Sequence, residues 1–134
     1  MGVSLADAGA RGSSEYVVKT VNATASGATA VWTPAAGKKW EICKFRLHVS
    51  SNASLGVAGT FTVSLLDGAG ATGLSFSIFL PTTAGTTMAG FWDSGWIDLD
   101  LGLCGTVAAQ ALNVNLSAAL VTGVCNVVVA GFEN

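Results

Sequence analysis

The 134-residue sequence predicts an all-β fold, a single antiparallel β-sandwich or jelly roll of about eight strands. From Tyr16 onward, apolar and polar residues alternate in runs of roughly five to ten residues, the period of a half-buried strand. Gly, Ser, Thr, Asn and Pro separate these runs, as they do at turns. No window carries apolar residues at helical spacing between caps. These observations favour β structure throughout.

The first residues of the chain lack this pattern. Residues 1–15 are rich in Gly, Ala and Ser without apolar periodicity, and we expect them to form a flexible N-terminal arm. They also lack the basic start and apolar centre of a secretory signal, which predicts no export by that route. Residues 16–134 are expected to form the β-sandwich, because a chain of this length builds one core.

The first four strands are separated by clear turn residues. Pro34 and Gly37 separate the second strand from the third. In the third strand, Lys44, Arg46 and His48 occupy one face and are expected to meet solvent. The alternate positions, expected to face the core, are Cys43, Phe45, Leu47 and Val49. The predicted strands comprise residues 16–21, 28–32, 40–49 and 59–66.

The last four strands follow a turn that Asp67 and Gly68 open. Pro81 ends the fifth strand, in which Leu, Phe and Ile alternate mainly with Ser. In the seventh, Leu112, Val114 and Leu116 alternate with polar residues. These strands are predicted at residues 74–80, 95–101, 112–118 and 124–130.

Charge is scarce, and this limits the classes of function. Charged residues make up 10% of the chain, against roughly 25% in ordinary soluble domains, and the mean hydropathy is +0.58. A soluble monomer needs charged surface, so the composition predicts burial against copies of the chain or another protein. The net charge of -2 gives no broad attraction for nucleic acid or an anionic membrane. The uncharged segment 101–132 alternates and contains Asn and Gln, unlike a membrane span.

No catalytic, cofactor or metal site is predicted. The pattern GxGxxG at residues 68–73 precedes an alternating strand rather than a helix, which favours a loop over a dinucleotide site. His48 is the only histidine, so no catalytic triad or histidine metal site assembles around it. The acidic cluster of Asp93, Asp98 and Asp100 is interpreted as solvent-exposed surface. We expect the cysteines to be buried free thiols, at positions 43, 104 and 125.

Aromatic residues beside loops are the candidate binding residues. Phe91, Trp92 and Trp96 fall close together after a Gly-rich segment. For Trp92, contact with a protein partner, stacking on a sugar and packing in the core all remain open. Core packing is equally plausible for Trp96. The candidate interface residues are Phe91, Trp92 and Pro34.

Two segments resemble small β-sandwich or jelly-roll virion proteins of tailed bacteriophages. The first is Pro-Ala-Ala-Gly-Lys-Lys-Trp at 34–40, and the second is Gln-Ala-Leu-Asn-Val-Asn-Leu-Ser at 110–117. The resemblance implies a capsid decoration (cement) protein, often a trimer, that binds the major capsid protein. It places the chain on the capsid surface of the virion after synthesis in the host bacterial cytoplasm. A receptor- or carbohydrate-binding module of a tail or fibre is the alternative.

Overall fold

A computed structural model describes residues 16–51, 59–70, 73–80, 90–120 and 123–134. The predicted N-terminal arm, residues 1–15, lies outside them. Where the chain is described, it contains no helix long and apolar enough to cross a membrane. The described residues contain nine strands: β1 (Tyr16–Ala23), β2 (Gly27–Trp32), β3 (Trp40–Ser51), β4 (Gly59–Asp67), β5 (Gly73–Leu80), β6 (Gly90–Asp93), β7 (Ile97–Cys104), β8 (Leu112–Leu116) and β9 (Gly123–Glu133).

The strands form two antiparallel sheets. The first sheet has the order β1-β9-β3, and β6 and β7 both pair with the remaining side of β3. The second sheet has the order β2-β8-β4-β5. All of the described strand pairs are antiparallel, so the predicted antiparallel β-sandwich is confirmed.

The core lies between the inner faces of the two sheets. Alternate residues of the central strands are buried there, as the period-two pattern predicts. Full burial of each such side chain contributes about 1.5–3 kcal/mol relative to exposure. The largest buried side chains include Trp32, Trp40, Phe45, Phe61, Ile42, Leu47, Leu65, Leu112 and Leu116.

The prediction that Cys43 faces the core is wrong, because β3 contains a bulge. Ile42 pairs with Gly131 of β9, but Lys44 pairs with the adjacent Ala130, so β3 carries one extra residue. Ile42 is therefore fully buried and Cys43 is only half-buried. From Phe45 onward the predicted alternation is restored.

The other cysteine predictions have a mixed outcome. Cys125 is a buried free thiol, as expected. Cys104 forms no disulfide but is exposed, so its predicted burial is wrong. It pairs with Glu41 at the edge of the first sheet, whereas the next residue inward, Leu103, pairs with Ile42 and packs against the core.

These positions predict an order of thiol reactivity. Burial raises the pKa of Cys125 to about 11, and the thiolate is the form that reacts with alkylating agents. At pH 8, iodoacetamide should label Cys104 first and should leave Cys125 unmodified until denaturant is added. Peptide mass spectrometry over a time course measures the three rates. Labelling of Cys125 as fast as Cys104 in the native protein would contradict the placement of β9.

Candidate protein interface on the outer face of the first sheet

Strand β3 places a row of basic side chains on the outer face of the first sheet. Lys44, Arg46 and His48 are two residues apart and therefore point to the same side. Arg46 is exposed, and Lys44 and His48 are partly exposed. The prediction that this face of the third strand meets solvent is confirmed.

Asp93 of β6 contacts two side chains of this basic row, Arg46 and His48. It is the direct cross-strand partner of His48, whose Nδ1 lies 3.3 Å from Asp93 Oδ2. Arg46 donates two hydrogen bonds to the carboxylate, from Nε to Oδ1 at 3.1 Å and from Nη2 to Oδ2. The backbone N–H of Gly95 donates a further bond to Oδ1 at 2.8 Å. The carboxylate thus orders both the row and the following turn.

The electrostatics of Asp93 follow from these contacts. The hydrogen bond from Arg46, followed by that from Gly95, holds the pKa of the Asp93 carboxyl well below its usual range. The predicted acidic cluster is therefore divided, since Asp93 is neutralised by Arg46 while Asp98 and Asp100 are exposed on β7. No group of three His, Cys, Asp or Glu residues suited to a metal occurs among the described residues.

A short interruption after Asp93 separates β7, which the sequence predicted at 95–101, from β6, which the sequence did not predict. The N–H of Ser94 donates to Leu47 O at 2.9 Å, and the N–H of Leu47 donates to Ser94 Oγ at 2.9 Å. A side chain thus replaces a backbone group in the ladder. Gly95 then adopts a φ of 65°, a conformation that favours glycine.

The interruption directs Trp96 outward. The side chain of Trp96 is 47% exposed, and Lys44 Nζ lies 4.7 Å from its ring centroid in a cation–π contact. The sequence left open whether Trp96 packs in the core, and the structure places it on the surface. Trp96 is instead the large aromatic side chain at this edge of the outer face.

The opposite edge of the same face carries exposed apolar residues of β1. Tyr16 and Val18 are 52% and 57% exposed. Tyr16 contacts Phe132 edge to face, with ring centroids 5.5 Å apart. Val18 and Lys44 both pair with Ala130, which places them in one row across the sheet. We call Tyr16, Val18, Lys44, Arg46 and Trp96 the outer face.

The outer face has the composition of a protein-binding surface. Trp, Tyr and Arg are the residue types that most often dominate binding energy at interfaces. Here all three are exposed on one strand-built surface, and Asp93 fixes the position of Arg46. The arrangement suits binding, because Asp93 holds basic side chains in place and the face presents two exposed aromatic rings.

The predicted interface residues lie elsewhere and far apart. Pro34 is buried within the chain and precedes β3, whereas Trp92 pairs with Val49 near the other end of that strand. At about 3.3 Å per residue, the length of β3 separates them by roughly 30 Å. Trp92 is half-buried and packs against the core, and Phe91 pairs with Ser50. The structure does not bring the three residues together, and their contact with a partner stays a prediction.

Sequence reasoning missed a second polar site, at Asp67. This side chain is 4% exposed and accepts hydrogen bonds from the N–H and Oγ1 of Thr106 and from Nε2 of Gln110. Burial raises the pKa of Asp67, but these hydrogen bonds together with the charge of Lys39 outweigh it, so the pKa is lowered. The carboxylate therefore holds the loop between β7 and β8, which exposes Val107.

The comparisons with known proteins assign no family. No family model and no curated protein matches the chain. Among solved structures, the chain is similar to one from Bacillus endospore appendages, a family of disulfide-linked pili, at 11% identity over 88% of this chain and 87% of that one. The TM-score is 0.33, too low to support a functional inference.

Proposed function

We propose that this chain is a structural virion protein of a tailed bacteriophage, a decoration protein that self-associates and binds the outer capsid. The observation that carries the proposal is the outer face, on which Tyr16, Val18 and Trp96 are about half exposed around Arg46. A chain with 10% charged residues and such a face favours burial against other protein. The resemblance of segments 34–40 and 110–117 to phage virion proteins supports the choice of partner.

The strand order supports the finer proposal of a jelly roll. The first sheet has the order β1-β9-β3 followed by β6 and β7, which share one position beside β3. With these two strands counted as one interrupted strand, each sheet has four positions, and the chain crosses between sheets at most connections. Jelly rolls are eight-stranded double sheets that occur in viral capsid and lectin domains.

The proposed mechanism is mass action. A protein that binds only the assembled shell stabilises it by RT ln(1 + [L]/Kd) per site, which is about 2.7 kcal/mol at a hundredfold excess over Kd. A trimer would engage the shell at several points at once, which raises avidity without new kinds of contact. No reaction is assigned to the chain.

Loss of Trp96 should weaken capsid binding. Trp96→Ala removes an exposed aromatic anchor of the outer face, and we expect bound copies on undecorated capsids to fall at least about tenfold at limiting concentration. Val107→Ala is the matched control, because Val107 is similarly exposed, at 53%, but lies on the loop between β7 and β8. Quantitative gel analysis of sedimented capsids gives the occupancy. Equal occupancy for the two variants would contradict a role for the outer face.

A receptor- or carbohydrate-binding module of a tail or fibre is the second candidate. The observation that favours this candidate is the half-exposed ring of Trp96, on which a sugar could stack. Trp92, from which the sequence predicted such stacking, packs against the core instead. Binding to a glycan array by the wild type, lost in Trp96→Ala, together with no binding to capsids, would favour this candidate over decoration.

A further inference from the structure

The edges of the two sheets differ in how they are protected. An edge strand presents unpaired N–H and C=O groups that can pair with another chain, and proteins commonly block this with charges, bulges or short strands. Among the described strands, β1 and the interrupted pair β6 and β7 are the edges of the first sheet. Strands β2 and β5 are the edges of the second sheet.

Three of these edges carry such protection. β1 has the exposed Lys19 in its middle. β2 is six residues long, and its register shifts between Ala30 and Trp32. β6 and β7 are separated by the turn at 94–96, and β7 exposes Asp98 and Asp100. Each feature weakens pairing with a further strand.

Strand β5 has none of them. It pairs with β4 over all eight residues, Gly73–Leu80, without a register shift. Its sequence, Gly-Leu-Ser-Phe-Ser-Ile-Phe-Leu, contains no charge and no proline. No other described strand pairs with its second side. β5 is thus a long, regular, uncharged edge, which is the kind that recruits a partner strand.

We propose that β5 pairs antiparallel with β5 of a second copy of this chain about a two-fold axis. The occupant of such an edge must be an extended, uncharged segment with backbone groups available on one side, and among the described strands β5 itself meets each requirement. A two-fold contact of identical edges leaves neither edge open. It joins two four-stranded sheets into one of eight strands and buries part of the apolar, weakly charged surface.

The geometry of the sheet restricts the register. Side chains alternate along a strand, and directly opposite residues point to the same face of the sheet. The core-facing side chains of the two copies therefore lie on one face of the joined sheet only if even-numbered residues face even-numbered ones and odd face odd. Pairings centred on Phe76 or on Ser77 satisfy this and each align seven of the eight residues. In both, the two Ser77 residues are direct or diagonal cross-strand neighbours.

This inference rests on the self-association in the proposed function and names one contact that produces it. The two-fold axis at β5 is distinct from the three-fold axis of the proposed trimer. A two-fold at β5 alone gives a dimer, and the same contact combined with a three-fold gives a hexamer. The solution mass therefore reports the β5 contact independently of capsid binding.

Charge substitutions at Ser77 test the contact. Ser77→Lys and Ser77→Glu each place like charges next to one another across the two-fold, and each should halve the solution mass relative to wild type at equal concentration. Mixed in equal amounts, the two variants should regain the wild-type mass, because opposite charges then face each other. Ala28→Lys and Ala28→Glu are the matched controls, since Ala28 is exposed on β2 at the opposite edge of the same sheet. Sedimentation velocity gives the masses.

Unchanged solution mass for both Ser77 variants, or a mixture that fails to regain the wild-type mass, would overturn the pairing.

Hydrogen exchange of the wild-type protein gives a test that needs no variant. Pairing on both sides should slow exchange at consecutive backbone amides along β5, whereas slow exchange at only the alternate amides that face β4 overturns the proposal. Capsid occupancy separates the two proposals. If the Ser77 variants keep the wild-type solution mass and still bind capsids, only the β5 contact is refuted. If the mixture of the two variants regains the wild-type mass but the protein binds no capsids, only the decoration function is refuted.

Discussion

Replacing Gly131 with Ala is expected to lower the free energy of unfolding by at least about 3 kcal/mol. A Cβ atom at this position would lie 1.8 Å from the carbonyl oxygen of Glu41 and 2.9 Å from Cα of Ile42. These are backbone atoms of the central strand β3, at the bulge, so no side-chain rotation relieves the overlap. Strands β3 and β9 must separate locally, which disturbs the longest pairing in the first sheet.

Gly37→Ala is the control for this prediction. Gly37 has a φ of 77°, but a Cβ atom there would meet nothing within 4 Å. Only the conformational penalty remains, about 1–2 kcal/mol. Urea unfolding of the two variants measures both losses. A loss for Gly131→Ala no larger than that for Gly37→Ala would contradict the close approach of β3 and β9.

Replacing Asp67 with Ala should cost about 2–4 kcal/mol of stability at pH 7. The substitution removes the acceptor of the Thr106 N–H, the Thr106 hydroxyl and the Gln110 amide in a site that is nearly inaccessible to solvent. The loop between β7 and β8 should then become mobile. Urea unfolding gives the loss, and faster amide exchange confined to residues 105–111 locates it.

The contribution of Asp67 should also depend on pH. Because its native pKa is lowered, its stabilisation is fully present above the unfolded-state pKa of about 4 and is lost as pH falls through the native value. The stability difference between wild type and Asp67→Asn should therefore be constant near pH 7 and shrink below about pH 4. Asp98→Asn, at an exposed position, should change stability by less than about 0.5 kcal/mol at pH 7. A difference for Asp67→Asn that stays constant down to pH 2 would contradict its role.

The sequence pattern predicted the strands well because burial on one face imposes a period of two on each strand separately. Every predicted strand overlaps an observed one. The bulge at Cys43 was not predictable in the same way, since it depends on the approach of Gly131, which lies far along the chain. The extra strand β6 depends on Ser94 bonding to Leu47 of a different strand.

The candidate site was harder to predict than the fold. Arg46 and Asp93 are 47 residues apart, and only the pairing of β3 with β6 brings them together. The interruption at Ser94 and Gly95 also changes which tryptophan is exposed, so that Trp92 packs against the core and Trp96 faces outward. Alternation within one segment carries no information about such an interruption, which is set by the neighbouring strand.

The solution mass of the purified wild-type chain tests most directly whether it acts by assembly. The low charge, the outer face and the β5 edge together predict a stable oligomer at micromolar concentration. Light scattering coupled to size-exclusion chromatography should give a multiple of the 13.4 kDa chain mass that persists on dilution through this range. A single species of 13.4 kDa at these concentrations would contradict the proposal of a self-associating structural protein.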